Sequence, residues 1–290
     1  MLPDSRAATE VVRASRAHVW GAGLRIGLST LPAEPLLGLK RLALPVGYWR
    51  TAEFAYAISH LPAVSGSCLL DLGSPKDLAA MLARQRGNEV VATDILREPV
   101  ALSNRYAEAQ GLVKKPAPGA VRPALVDGRQ LAFKDGTFDA AFSISVLEHV
   151  PEGGDSIAIH EMIRVVKPGG RVVVTVPYSL VYRETFVEGN VYERQRVGDE
   201  SVFFERHYDA LSLRDRLFDP SGGEVIDLEV WGEKRIRVER ALSRTRPASL
   251  CLSPFEPFLA CLFLHHLQAD GGRGTPMAAF FTLRKPEHGA

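Results

Sequence analysis

Three aspartates, Asp71, Asp94 and Asp127, each stand at the end of a short apolar run in the first half of the chain. Parallel strands end at a common edge of a sheet, and doubly wound sheets bind their ligands at that edge. Asp94 has the spacing at which a carboxylate accepts hydrogen bonds from ribose hydroxyls. The alternative for Asp94 is a helix cap or a strand-end turn residue, and the alternative for Asp127 is a plain turn residue.

The loop after the first run reads Gly73-Ser74-Pro75-Lys76-Asp77. Ser74 as N-cap, Pro75 at the first helical position and Asp77 at capping-box spacing predict that a helix begins here. A carboxylate at this helix end disfavours a pyrophosphate, so Asp77 argues against a dinucleotide.

Two histidines, His149 and His207, are candidates for a general base. A positioned base contributes about 100- to 10,000-fold to proton transfer from a hydroxyl acceptor. For each histidine the alternative is a hydrogen-bonded structural role.

The elements that must position these residues alternate along the chain. Strands are predicted at 68–72, 89–93, 124–126, 138–144, 171–176, 224–231 and 277–284, and helices at 48–60, 76–86, 100–110, 156–165 and 211–218. This alternation predicts an α/β fold with a parallel sheet that helices cover on both faces.

Two further segments frame the predicted sheet. Residues 1–63 predict an N-terminal helical cap, and residues 64–290 a nucleotide-type domain. Within that domain, residues 178–210 predict an insertion over the site, with 191–197 and 202–206 as the arms of a hairpin. The apolar segment 258–264 could be core, a dimer surface or a membrane-touching helix, and we take core as its default.

Composition excludes several classes of function. The formal net charge of +1 provides no field to recruit nucleic acid or a membrane, and the basic run 234–246 is interrupted by acids. Cys68, Cys251 and Cys261 lack metal-ligand spacing. We therefore expect a cytoplasmic protein without a metal, a monomer or homodimer that does not bind nucleic acid or membrane.

Three motifs then follow in order along the chain. They are Asp127-Gly128 with the downstream pattern LxFxDxxFD, the segment Leu147-Glu148-His149-Val150, and Lys167-Pro168-Gly169-Gly170 before a strand. In this order they resemble the class I S-adenosylmethionine-dependent methyltransferases over about residues 68–178. The resemblance implies a Rossmann-like, seven-stranded, mostly parallel sheet whose last strand is antiparallel, with the insertion after strand 5.

The resemblance also implies which residues bind S-adenosylmethionine. These are Asp71, Gly73, Ser74, Asp94, Ile95, Asp127, Gly128, Ser145 and Val146, with Asp127-Gly128 at the adenine and Ser145 and Val146 beside the methionine moiety. The family usually has glycine at three alternate positions after the acidic residue, and here Pro75 and Asp77 replace the second and third. S-adenosylmethionine has no phosphate, so this departure weighs less against it than against a dinucleotide. Lys76 could meet the methionyl carboxylate, or be solvated.

The function that follows is methyl transfer to a small organic acceptor, with an oxygen or nitrogen nucleophile favoured over carbon. Tyr178, Tyr182 and Arg206 are the predicted acceptor-side residues. Two alternatives stay open: an S-adenosylmethionine-binding protein that acts as a scaffold or rearrangement catalyst, and an RNA or protein methyltransferase.

Overall fold

The structure is a computed structural model that describes residues 5–113, 119–188, 201–234, 238, 255–267 and 274–287, with side chains described from residue 16 onward. Three helices open the chain: α1 (Ser5–Thr30), α2 (Pro35–Ala43) and α3 (Tyr48–His60). The prediction of helix at 48–60 is confirmed to the residue.

The alternating part of the chain follows these helices. It comprises β1 (Cys68–Leu72), α4 (Lys76–Arg86), β2 (Glu89–Asp94), α5 (Arg97–Ala109), β3 (Ala120–Leu125), β4 (Phe138–Ile144), a 3-10 turn (Leu147–His149), α6 (Gly154–Val165) and β5 (Val166–Pro177). β1, α4 and β4 have the predicted bounds, since their apolar runs and flanking turn residues are local signals.

The later part of the chain adds antiparallel strands. Its elements are β6 (Arg183–Val187), β7 (Val202–His207), α7 (Ala210–Leu213), a π-helical segment (Arg214–Phe218), α8 (Asp219–Ser221), β8 (Glu224–Glu233), α9 (Glu256–Phe263), β9 (Leu264–Leu267) and β10 (Thr275–Arg284).

One large sheet has the strand order β3-β2-β1-β4-β5-β10-β8-β9. β1 to β5 are parallel, and β10 runs antiparallel to both β5 and β8. The predicted Rossmann-like, mostly parallel sheet is confirmed. The predicted number of strands is wrong by one, because β9 pairs antiparallel with the edge of β8 and makes eight strands.

The extra strand begins at Leu264, the last residue of the apolar segment 258–264, for which core was the default. Helix α9 ends at Phe263, and Leu264 and Leu267 are buried in β9. On α9 itself Ala260 is buried, but Phe258 and Leu262 are more than half exposed. The core interpretation of this segment is therefore only half correct.

The hairpin of the insertion also has a different pairing. The arm 202–206 is confirmed as part of β7, but its partner is β6, with Arg183 opposite His207 and Val187 opposite Val202. The predicted first arm, 191–197, lies outside the described residues.

Hydrophobic clusters cover both faces of the large sheet. One contains side chains of α1, α3, α4 and α5, and the other side chains of α6, the π-helical segment and the β5 and β10 strands. Successive residues of a strand point to opposite faces, and so Ala140 and Phe142 of β4 join the first cluster and Ala141 the second. The predicted boundary at residues 63 and 64 crosses the first cluster, since α3 and the sheet share it, and the division into cap and domain stays a prediction.

Candidate active site at the carboxyl edge of the sheet

The ends of β1, β3 and β4 meet closely at one edge of the sheet. Gly73, directly after β1, has φ +69°, and a Cβ there would lie 2.8 Å from Cγ1 of Val146. A Cβ on Gly128 would lie 2.8 Å from Cδ1 of Leu72. The backbone N–H of Gly73 donates to the carbonyl of Thr93 at 2.9 Å, which ties the loop to β2. Glycine is thus required at Gly73 both by its left-handed φ and by the approach of Val146.

Asp71 is a buried carboxylate at this edge. Its Oδ1 accepts a hydrogen bond from the N–H of Ser74 at 3.0 Å, while its Oδ2 is buried with no partner among the described residues. Burial raises the pKa of Asp71 to about 6, against the opposing charge of Lys76. A nearby positive group would favour the ionised form of this carboxyl.

Asp94 at the end of β2 is already engaged within the protein. Its Oδ2 accepts from Nζ of Lys76 at 2.8 Å, and its Oδ1 accepts from the N–H of Leu96 at 3.0 Å. Lys76 therefore lies beside Asp94 and not in open solvent. Ile95, the next residue, is 55% exposed.

Asp127 follows β3 at the same edge. Its Oδ1 accepts from the N–H of Arg129 at 2.9 Å, and its Oδ2 lies 2.7 Å from Nη2 of the same residue. The hydrogen bond from Arg129 lowers the pKa of Asp127. The side chain is one-third exposed, so it stays accessible.

The predicted capping of α4 is wrong. Pro75 occupies the N-cap position without a side-chain hydrogen bond. Ser74 is fully buried instead, and its Oγ accepts from the N–H of Ile144 at 3.0 Å, joining the β1 loop to β4. Asp77 pairs with Arg41 of α2 at 2.8 Å, because the N-terminal helices bring a partly buried guanidinium to it.

Ser145 connects this edge to helix α3. It has φ +52°, and its Oγ donates to Oε1 of Glu53 at 2.6 Å and accepts from Nη1 of Arg50 at 2.9 Å. Oε1 of Glu53 also accepts from Oγ1 of Thr175 at 2.9 Å. Sequence reasoning missed Arg50 and Glu53, although a glutamate inside an otherwise apolar helix face is a signal that could have indicated Glu53.

A cavity of about 1030 Å³ opens beside Ser145. It lies between α3, the ends of β5 and β10, and the β6–β7 hairpin. Its lining residues are Gly47, Tyr48, Trp49, Arg50, Glu53, Ser145, Val176, Pro177, Tyr178, Ser179, Leu180, Val181, Arg183, Glu205, His207, Glu256, Thr275, Pro276, Met277 and Ala278. Of the predicted cofactor residues only Ser145 is among them, so this cavity lies on the predicted acceptor side.

His207 lines the cavity as part of a charged group. Nη2 of Arg183 lies 3.2 Å from Nδ1 of His207, and Nε2 of His207 lies 3.1 Å from Oε1 of Glu205. Since a guanidinium only donates, Nδ1 accepts and Nε2 carries the hydrogen that Glu205 receives. Burial alone would raise the pKa of Glu205, but the hydrogen bond and charge of His207 bring it below its usual value.

His149 lies outside this cavity lining. Its Nδ1 is 2.7 Å from the carbonyl oxygen of Phe204, and its ring packs against the Phe204 ring with centroids 5.1 Å apart. A carbonyl only accepts, so Nδ1 donates and holds the 3-10 turn to β7. The neighbouring Glu148 is buried, and burial raises its pKa well above the usual value.

The three predicted acceptor-side residues do not lie together in the structure. Tyr178 lines the cavity and is almost fully buried. Tyr182 and Arg206 are not among the lining residues: the Tyr182 hydroxyl donates to Oε1 of Glu184 at 2.6 Å, and the buried Arg206 lies over the Phe203 ring at 4.5 Å. Nε of Arg206 also donates to Oε1 of Glu184 at 3.2 Å.

The described residues hold no group of three or more histidine, cysteine, aspartate or glutamate side chains arranged to bind a metal ion. In that same part of the chain, no helix is both long and apolar enough to cross a membrane.

The residues at the carboxyl edge fit a cationic nucleoside ligand. Asp71 carries the unpartnered buried oxygen, Gly73 and Gly128 lie where added side-chain atoms would meet Val146 and Leu72, and Asp127 is accessible. A sulfonium and an amino group match such carboxylates, whereas a pyrophosphate would not.

Known proteins resemble this chain in sequence and in fold. Residues 70–174 match the family model described as methyltransferase domain. The chain is 35% identical over 150 residues to demethylmenaquinone methyltransferase of Thermus thermophilus, covering 48% of this chain and 61% of that protein. It is 36% identical over 93 residues to norajmaline N-methyltransferase of Rauvolfia serpentina, covering 32% of this chain and 30% of that protein. The chain thus spans less than two thirds of the length of either relative.

Solved structures share the fold. An S-adenosylmethionine-dependent methyltransferase from Methanosarcina mazei superimposes with a TM-score of 0.52 at 16% identity, over 80% of this chain and 97% of that one. The [4+2]-cyclase SpnF superimposes with a TM-score of 0.54 at 22% identity, over 83% of this chain and 87% of that one. Residues 70–174 therefore match a methyltransferase domain, and the chain shares its fold with an S-adenosylmethionine-dependent methyltransferase.

Proposed function

We propose that this protein transfers the methyl group of S-adenosylmethionine to a small organic acceptor, at an oxygen or nitrogen atom, in the cavity beside Ser145. The observation that carries the proposal is that this cavity adjoins the carboxyl edge of the methyltransferase domain at Ser145 and contains the His207–Glu205 pair. The cofactor supplies a methyl group that its sulfonium already activates, so the protein must chiefly position a nucleophile and exclude water.

His207 is the residue that we propose as general base. Its Nδ1 accepts the proton of the acceptor hydroxyl or amine, which takes the place that Arg183 occupies at 3.2 Å. Glu205, at 3.1 Å from Nε2, then stabilises the imidazolium. The hydrogen bond of His149 to the Phe204 carbonyl, and its position outside the cavity lining, make it the weaker candidate.

The cavity lining favours an acceptor with both polar and apolar parts. Tyr178, Trp49 and Met277 provide apolar walls, and Arg183, Glu205 and His207 provide polar groups. We extend the proposal to a cytoplasmic protein, monomeric or homodimeric, that acts without nucleic acid.

Incubation with methyl-labelled S-adenosylmethionine and fractions of metabolites, RNA and protein tests the proposal. We expect label in a small molecule, and we expect His207→Gln to reduce the transfer rate by about 100-fold or more at neutral pH. His149→Gln is the matched comparison, and a larger loss there would move the base to His149. Label in RNA or protein alone, or cofactor binding without any transfer, would contradict the proposed function.

A further inference from the structure

Helix α3 places an arginine and a glutamate one turn apart against the ends of β4 and β5. Nη1 of Arg50 lies 2.6 Å from Oε2 of Glu53 and 2.9 Å from Oγ of Ser145. Oε1 of Glu53 receives the hydroxyls of Ser145 and Thr175 at 2.6 and 2.9 Å. Glu53 is 3% exposed, and the hydrogen bonds from Arg50, Ser145 and Thr175 hold its carboxylate in position.

Arg50 retains unused hydrogen-bonding capacity. Only its Nη1 has partners among the described residues, while its Nε and Nη2 have none there. The side chain is 34% exposed and lines the cavity. A guanidinium that is held at one nitrogen and open at the others is preorganised to bind a carboxylate.

The Arg50 guanidinium lies near the predicted cofactor residues as well as in the lining of the acceptor-side cavity. Ser145, its hydrogen-bond partner, directly precedes Val146, whose side chain lies against Gly73. This is the edge at which the buried Asp71 provides negative charge. A ligand group that carries both an ammonium and a carboxylate needs a protein anion near its ammonium and a protein cation near its carboxylate.

Lys76 is another cation near this edge, and like Arg129 it is already paired with an aspartate. Its Nζ lies 2.8 Å from Oδ2 of Asp94, and the two side chains are only 9% and 13% exposed. Binding a ligand carboxylate at Lys76 would require breaking a mostly buried ion pair, which costs more than using the open donors of Arg50.

We propose that Arg50 binds the carboxylate of the methionyl part of the cofactor, and that Glu53 is the positioning residue that orients Arg50. The N-terminal helices then form part of the cofactor site as well as a cover for the acceptor. This inference rests on the cofactor assignment in the proposed function, but not on the acceptor or on methyl transfer.

The test compares two ligands that differ only in that carboxylate. Isothermal titration calorimetry measures the dissociation constants of S-adenosylhomocysteine and of its decarboxylated counterpart, S-adenosyl-3-thiopropylamine. We expect the wild-type protein to prefer the carboxylate ligand by about 10- to 100-fold, because a hydrogen-bonded charge is lost without it. Arg50→Gln is expected to reduce that preference to about threefold or less while binding the decarboxylated ligand as the wild type does.

Three more variants test whether Arg50 is the residue that binds the carboxylate. Arg183→Gln removes another cavity arginine and is expected to keep the preference. Arg50→Lys keeps the charge and is expected to restore part of it, and Glu53→Gln is expected to weaken only the carboxylate ligand, since Arg50 loses its orientation.

An unchanged preference in Arg50→Gln would overturn the inference, and loss of the preference in Lys76→Gln instead would assign the carboxylate to Lys76. Equal loss of both ligands in Arg50→Gln would also overturn it, because the effect would not concern the carboxylate. Carboxylate-dependent binding without any methyl transfer would instead reject the proposed function and leave this inference standing.

Discussion

The charge of Asp71 is unfavourable for folding, and we propose that it favours binding of a cationic ligand group. It is fully buried, one of its oxygens has no partner among the described residues, and its pKa is about 6 compared with 3.8 for the exposed group. This difference corresponds to about 3 kcal/mol of cost for the ionised form in the folded protein. A cationic ligand group at this edge offsets that cost only when it is bound.

Asp71→Asn is therefore expected to stabilise the ligand-free protein in a pH-dependent way. Below the unfolded pKa both states carry a protonated Asp71, so there is no difference. Between about pH 4 and pH 6 the wild type loses stability as pH rises, and above that window the variant has the full advantage of about 3 kcal/mol. Urea unfolding of both proteins across this range measures the difference.

The same variant is expected to bind S-adenosylhomocysteine more weakly at neutral pH, since the negative charge is lost. A stability difference that does not change with pH, or an unchanged affinity, would contradict this account of Asp71.

At the scale of elements, one buried carboxylate joins the insertion to the sheet-covering helices. Asp155 in the first turn of α6 accepts from the Tyr208 hydroxyl at 2.9 Å and from Nε and Nη2 of Arg216 at 2.9 and 2.8 Å. Nη1 of the buried Arg206 lies 3.9 Å away. This contact set explains why Arg206, predicted on the acceptor side, is buried among protein partners.

Asp155→Ala is expected to reduce the free energy of unfolding by about 3–5 kcal/mol, because it leaves the Arg216 guanidinium and the buried Tyr208 hydroxyl without their carboxylate partner. Asp219→Ala is the matched control: its partner Arg214 is 69% exposed, and removing such a surface pair costs about 1 kcal/mol or less. Chemical denaturation of both variants measures the difference. Equal losses would show that the Asp155 contacts do not stabilise the fold as we infer.

At the scale of the whole molecule, the N-terminal helices attach to the sheet at several separate points. Arg16 of α1 donates to the carbonyls of Ala260 and Leu264, and Arg41 of α2 pairs with Asp77 of α4. α3 contributes Arg50 to the cavity and shares a hydrophobic cluster with the sheet. We therefore expect ligand binding at the sheet edge to stabilise these helices as well.

Hydrogen exchange is expected to report this coupling. S-adenosylhomocysteine should slow amide exchange in α3 of the wild-type protein, because a bound ligand suppresses openings that break its contacts. In Arg50→Gln at saturating ligand, α3 should gain clearly less protection while β1 and β2 gain as much as in the wild type. Equal protection of α3 in both proteins would show that the helix is not linked to the ligand through Arg50.

Much of the architecture was predictable because its signals are local. The bounds of β1, β4, α3 and α4 follow from apolar runs, helical spacing and the turn residues that border them. Strand-end aspartates and the motif order 127–170 indicated the cofactor family for the same reason: each motif is a short segment, and parallel strands always end at a shared edge.

Partnerships between distant residues were decided only by the tertiary structure. Ser145 meets Glu53 across 92 positions, Asp77 meets Arg41 instead of capping its own helix, and Lys76 meets Asp94 across 18 positions. Pairing of β9 with β8 likewise depends on an edge that no local pattern describes. The sequence by itself determined the bounds of β1, β4, α3 and α4 and the order of the family motifs, because these depend on neighbours in the chain. Which charges face the cavity, and which are neutralised within the protein, depended on packing that brings remote segments together.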